Sequence, residues 1–277
     1  MPRSRTDDTI GYESAAACCA VMPVGWPHLV DELDRWREAQ RIAKLWWRDD
    51  DAVAPSASLD RQVRIAGTSP IALAVIPSEA EPELADWLQT SRPSIAILQH
   101  GWRHSNHSTG RSKSEFPAAR SGNAVRIDLA AGRERLTSLF GGRALPVLVP
   151  PWNRFDDSHL PLLGACGILA ISGINRRSGP TPACDVREVN VDIDLVEWRG
   201  DRGFIGEEAA LSALVRHLQR QRIGWACDKP IGILTHHLVQ DAATGAFLEQ
   251  LMAVTFMHPG LCWLDAFEIF TPISVPT

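Results

Sequence analysis

Residues 44–52 read KLWWRDDDA. An apolar run carrying two tryptophans passes without a break into three successive aspartates. Such a run fits a buried strand of a parallel sheet whose last residues emerge at a polar end. Three adjacent carboxylates repel one another and give a fold nothing, so a bound cation at that end is the simplest explanation. Consecutive strand residues face opposite sides, so a regular strand cannot turn all three toward one ion.

The pattern repeats along the chain. Short apolar runs occur at 71–77, 94–99, 145–150, 167–172, 186–193, 231–236 and 261–264. Between them lie segments of helical periodicity at 58–66, 80–90, 128–140, 157–165, 207–222 and 243–255. A further helix is expected over 27–43, where Leu29, Leu33, Trp36 and Ala39 share one face. Apolar strands alternating with helices predict an α/β fold with a parallel sheet covered on its outer side. Seven or eight such units in about 230 residues fit a barrel better than an open sheet. The longest loops, 101–127 and 173–186, are rich in Ser, Gly, Arg or Pro, and loops of that length are usually functional.

The chain has 277 residues, 45% of them hydrophobic and 22% charged, ordinary values for a globular protein. We read 1–22 as a poorly ordered tail and 23–277 as one catalytic domain. The formal net charge of −5 argues against a nucleic-acid or anionic-membrane binder. No run approaches the roughly 20 apolar residues of a membrane helix. The apolar stretch near the start is short and follows Asp7, Asp8 and Glu13 rather than a basic segment, unlike a signal peptide. None of the six cysteines has C-x-x-C spacing. They read as reduced thiols of a cytoplasmic protein.

Polar residues gather where strands end, which is where parallel α/β folds do their chemistry. Asp49, Asp50 and Asp51 follow the first run. His100, His104 and His107 follow 94–99. PPWNRF, with Trp152 and Arg154, follows 145–149. Asp194, Glu197 and Trp198 follow 186–193, and His236 and His237 follow 231–235. Gly101 weakens a helix between His100 and His104 and so puts the pair on a loop. Two imidazoles and one carboxylate make a three-ligand site for zinc or a similar divalent ion, with a position left for water. A helix cap or solvated turn would account for one aspartate. The acidic motif of a nucleotide-sugar transferase would leave the histidines unexplained, and neither G-x-x-x-x-G-K nor G-x-G-x-x-G is present.

Taken together, these motifs resemble the polysaccharide deacetylase (NodB-homology, carbohydrate esterase family 4) superfamily, in order along 44–270. WRDDDA resembles its aromatic-Asp-Asp motif with one surplus Asp, HGWRH its His-x-x-x-His, VPPWN its R-x-P-aromatic, DLVEW its D-x-x-D-W and LTH its L-x-H. The resemblance implies a distorted (β/α) barrel of about seven parallel strands. It implies a divalent metal, zinc foremost with cobalt, nickel or manganese as alternatives, bound by Asp51, His100 and His104. It further implies Asp50 as general base, His236 as general acid oriented by Asp194, the Trp152 N–H at the oxyanion, and Leu234 and Trp198 walling the acyl pocket. A register shifted by one would make Asp49 and Asp50 the acidic pair. Val149 stands where the family has its arginine, so Arg48 or Arg154 is expected to pair with Asp50 instead. The implied activity is hydrolysis of an amide C–N bond, with deacetylation of an N-acetylated sugar as the leading reading. A non-sugar C–N bond and a catalytically silent carbohydrate-binding barrel are the alternatives. Trp46, Trp47 and Trp102 are candidate platforms for a sugar ring, with barrel core as the alternative for at least one of Trp46 and Trp47, since adjacent strand residues face opposite ways. His107 and His237 are expected to line or support the site, and His28, His159, His217 and His258 to lie on the surface or on helices.

Overall fold

The structure is a computed structural model that describes residues 23–90, 94–174, 186–226 and 229–270. The tail 1–22, most of the loop 173–186, and Cys18, Cys19, Cys184 and Cys227 lie outside the described residues. In chain order the first half comprises α1 (Trp26–Glu38), β1 (Ala43–Ala52), α2 (Ala57–Ala66), β2 (Ile71–Val75), α3 (Pro82–Thr90), β3 (Ile95–His100) and α4 (Gly122–Phe140). There follow β4 (Ala144–Val149), α5 (Leu162–Ala165), β5 (Ala170–Ile171), β6 (Arg187–Glu188) and β7 (Ile193–Asp194). The chain continues through α6 (Glu207–Arg222), β8 (Ile231–Thr235), α7 (Ala242–Thr255), β9 (Leu261–Trp263) and α8 (Ala266–Phe270).

The strands lie in the order β6-β5-β4-β3-β2-β1-β8-β7, every pair parallel, and β9 pairs with the start of β1. Parallel neighbours require long crossovers, and the helices supply most of them. The segment 187–194 draws the two ends of the sheet together. Its first half pairs with β5, and Val191 N–H donates to the Gly173 carbonyl. Its second half pairs with β8. The expected distorted α/β barrel is what forms.

The two neighbouring tryptophans of β1 separate the core into layers. Trp47 packs outward among Leu33, Trp36, Leu211, Leu214 and Leu248 beneath the helices. Its Nε1–H donates to Thr235 Oγ1 at 2.8 Å, so the indole is buried with its polar group satisfied. Trp46 points inward with Ala72, Ala74, Ala96, Val191 and Leu234, edge-on to Phe270 at 5.7 Å. Small residues around it make the room. A Cβ on Gly232 would lie 2.5 Å from Trp46 Nε1 and 2.6 Å from Val191 Cα, so only glycine lets segment 187–194 close over the indole. Both tryptophans are 1% exposed, so neither can stack on a sugar ring as the sequence had suggested. They are barrel core.

Other departures are local. The run 186–193 is two short strands because it changes partner midway. The helix expected at 157–165 is a 3-10 turn at Asp157–His159 followed by the single-turn α5, interrupted by Pro161. His159, expected on the surface or on a helix, lies on the 3-10 turn, buried, and hydrogen-bonds the Pro117 carbonyl through Nε2 at 3.0 Å. A final helix, α8, caps the inner core with Ile269 and Phe270.

Candidate active site

Strand β1 is regular through Asp49 and then bulges. Asp49 pairs with Leu73 but Ala52 with Val75, so one extra residue is accommodated, and Asp51 has φ +70. A bulge re-aims side chains, and here it separates the three aspartates. Asp49 stays with the outer layer, fully buried. Its carboxylate accepts from Gln62 Nε2, from Thr235 Oγ1 at 2.6 Å, from the His237 N–H at 3.0 Å and from His237 Nδ1 at 2.5 Å. Asp50 faces inward and meets Arg48, whose Nε and Nη2 donate to its two oxygens at 2.8 and 3.0 Å. Arg48 is itself fixed by Ser172, to Oγ at 2.8 Å and to the carbonyl at 3.1 Å, and by Asn153 Oδ1 at 3.0 Å. Arg154 is elsewhere, with Nη1 donating to the Lys113 carbonyl. The partner of Asp50 is therefore Arg48.

Asp51 is turned by the bulge toward β3. Its Oδ1 lies 3.1 Å from His100 Nε2 and 3.5 Å from His104 Nε2. One ligand atom from each of the three residues lies within 4.8 Å of the others. Four-coordinate zinc with bonds of about 2.0–2.2 Å separates its ligands by roughly 3.3–3.6 Å, close to the two distances from Asp51 Oδ1 to the imidazoles. Asp51 Oδ1 is buried and takes no hydrogen bond among the described residues. His100 Nδ1–H donates to the Val149 carbonyl at 3.0 Å, which fixes the tautomer and leaves Nε2 for an ion. An orphaned carboxylate oxygen facing two imidazole nitrogens fits a divalent cation.

The electrostatics agree. Burial pushes the Asp51 carboxyl up, but His100, His236 and His104 around it prevail and hold it well below the usual carboxylate range. Burial lowers His100, but Asp51 and Asp50 outweigh it and raise this imidazole above its ordinary value. His104 is lowered by burial and by neighbouring His100. The cluster thus favours one positive charge between the carboxylate and the imidazoles.

The remaining candidates stand around this cluster. His236, at the end of β8, is buried, with its ring edge-on to Trp198 at 4.8 Å. Asp194 Oδ1 is 4.0 Å from His236 Nδ1, beyond hydrogen-bond length, and that nitrogen has no partner among the described residues. Asp194 accepts instead from Trp198 Nε1 at 2.7 Å and from the Val196 N–H at 3.0 Å. Burial raises the Asp194 carboxyl, with His236 and Trp198 opposing. Leu234 lies buried beside Trp46 in the inner core, and Trp198 is 46% exposed at the mouth. Trp152 packs on His104 at 4.3 Å. It adopts φ +55, and its N–H, unlike those of Asn153 and Arg154, makes no hydrogen bond among the described residues. His107 is exposed, and His237 is buried against Asp49.

Sequence reasoning missed Ser172, Asn153, Gln62, Thr235 and Glu115. Asn153 and Thr235 lie inside the VPPWN and LTH motifs without having been singled out there. The others are brought in by packing alone.

No known family model matches the chain, and no curated protein matches its sequence. Solved structures do resemble it. A protein from Mycobacterium smegmatis described as a polysaccharide deacetylase superposes with a TM-score of 0.61 at 16% identity, over 89% of this chain and 91% of that one. A family 4 acetyl xylan esterase from Clostridium thermocellum in complex with a cobalt ion gives 0.51 at 15%, over 84% and 93%. A family 4 pseudoenzyme from Bacillus anthracis gives 0.52 at 11%, over 83% of this chain and 66% of that one. At such identities what is shared is the architecture: this chain has the fold of the polysaccharide deacetylases and family 4 carbohydrate esterases.

Proposed function

We propose that the protein is a metal-dependent hydrolase of an amide C–N bond, acting on an N-acetylated sugar or oligosaccharide. The observation that carries this reading is the meeting of Asp51, His100 and His104 within 4.8 Å, with Asp50 next to Asp51 on β1 and His236 near enough to act on the Asp51 carboxyl. A divalent ion held by those three residues would polarise an acyl carbonyl and lower the pKa of water. Asp50, oriented by Arg48, takes the proton from the attacking water. The Trp152 N–H, without a partner among the described residues, donates to the oxygen that becomes negative. His236 returns a proton to the departing nitrogen, with Asp194 steering it as substrate closes the gap between them. Trp198 and Leu234 bound the space for the acyl group.

The metal is proposed as zinc, with cobalt, nickel or manganese able to fill the same donor set. A cytoplasmic location belongs to the same reading and is supported by the free thiols of Cys166 and Cys262. A silent sugar-binding barrel is the rival to test, because the fold is shared with a protein described as a pseudoenzyme. Purified protein, stripped with chelator and reloaded with zinc or cobalt, should release acetate from N-acetylglucosamine oligomers only when loaded. Binding of the oligomers without release of acetate would favour the silent barrel. Neither binding nor release would direct the search to non-sugar amides.

A further inference from the structure

Of the two histidines of HGWRH, expected together on a loop, His100 is the last residue of β3 and only His104 lies on the loop that follows, where Gly101 contributes no side chain to hold it. The backbone there is unusual: Gly101 has φ +60 and His104 φ +54, both left-handed, the second costly for a residue with a side chain. Something must hold His104 with its Nε2 toward Asp51. The 101–121 loop provides it by folding back. His107 N–H donates to the Ser114 carbonyl at 2.8 Å, and Asn106 Oδ1 accepts from the N–H groups of Ser108 and Ser114. The returning chain is pinned by Phe116, fully buried against Phe155 at 5.4 Å.

That pin sets the preceding residue, Glu115, directly over the histidine loop. Glu115 is 0% exposed. Its Oε2 accepts from the Trp102 N–H at 3.1 Å and its Oε1 from the Arg103 N–H at 2.8 Å. The carboxylate occupies the space a side chain at 101 would take: a Cβ there would lie 1.9 Å from Glu115 Oε2 and 2.7 Å from Pro151. From the other side, Gln99 Nε2 donates to the Gly101 carbonyl at 3.1 Å. The loop is thus held by its N–H groups from above and by a carbonyl from below.

We propose that Glu115 is the positioning residue of the metal site: its carboxylate clamps the backbone between the two histidines and so sets His104 against Asp51. This deepens the hydrolase reading and rests on it for the identity of the ligands. Among the described residues, the hydrogen-bond partners of this buried carboxylate are main-chain N–H groups of the ligand loop, and groups that orient ligands are worth about 10–100-fold in metal affinity.

The test compares wild type with Glu115→Gln and Glu115→Ala, using zinc as probe in competition with a chromophoric chelator. Hydrogen exchange of the Trp102 and Arg103 amides in the metal-free proteins is followed in parallel. Glu115→Ala should weaken zinc binding about 10–100-fold and expose both amides. Glu115→Gln, which keeps one acceptor oxygen, should fall between it and wild type. Glu115→Gln also serves if Glu115→Ala does not fold. Unchanged zinc affinity together with unchanged amide protection would overturn the proposal. If wild type binds no zinc, the metal reading fails and the exchange data still decide whether Glu115 holds the loop.

Discussion

Arg48 grips Asp50, two residues later on the same strand, through both carboxylate oxygens at 2.8 and 3.0 Å, with the two side chains 0% and 2% exposed. Residues two apart on a strand share a face, so the pair needs no long-range contact to find each other. Ser172 and Asn153 take the remaining guanidinium donors. The arrangement supplies from within β1 the cation that Val149 does not provide.

Removing one partner of a buried pair leaves the other uncompensated. Arg48→Met should therefore cost about 3–5 kcal/mol of stability, read by denaturant unfolding, and Arg48→Met/Asp50→Asn should recover part of it. Equal destabilisation of the single and double variants would show that the guanidinium matters for packing and not for Asp50. Arg154→Met, which removes an exposed hydrogen bond to the Lys113 carbonyl, should change stability little.

His236 is expected to move a proton and not to bind the ion. His236→Ala should lower turnover by about 100-fold or more while the metal content per chain stays at the wild-type level. Loss of the metal in that variant would make His236 a ligand.

Asp49 and His237 form a buried pair whose effect has a definite sign. Burial opposes the charged imidazole, but Asp49 outweighs it and raises His237 above its ordinary value of about 6.5. A raised folded-state pKa adds stability that is complete below about 6.5 and is lost as pH rises through the folded value. His100 is raised in the same direction, so the His237 share must be isolated by comparison. Melting of the metal-free protein from about pH 6 to about pH 9 should fall more steeply for wild type than for His237→Gln. Parallel curves would mean that His237 folds uncharged.

Metal binding should show the opposite dependence. Asp51 stays ionised through the acid range, whereas His100 keeps its proton above the ordinary histidine value. An ion must displace that proton. Zinc affinity should therefore increase as pH rises past about 6.5, measured by chelator competition at several pH values. A flat profile would show that His100 carries no proton to displace.

Much of this was legible in the sequence, and the reasons differ by element. The barrel was readable because each buried strand is an uninterrupted apolar run, and because Asp51, His100, His104 and His236 all follow such runs directly. The division of labour among Asp49, Asp50 and Asp51 came only as what the resemblance implies, with the register open by one, because it depends on an extra residue in β1 that periodicity does not reveal. The burial of Trp46 and Trp47 on opposite faces follows from strand alternation, but their complete enclosure depends on Gly232 and on segment 187–194 closing over β8. Glu115 was invisible because its role arises from a loop folding back, and nothing in its local sequence marks it.

The central claim is that Asp51, His100 and His104 bind one divalent metal ion. Equilibrium dialysis against zinc, with elemental analysis of the protein, tests it most directly. The account predicts one equivalent per chain for wild type, lost in His100→Ala and in His104→Ala, and retained in Asp49→Asn if that variant folds. Wild-type protein that binds no zinc, cobalt, nickel or manganese, or variants at His100 and His104 that bind as wild type does, would contradict it.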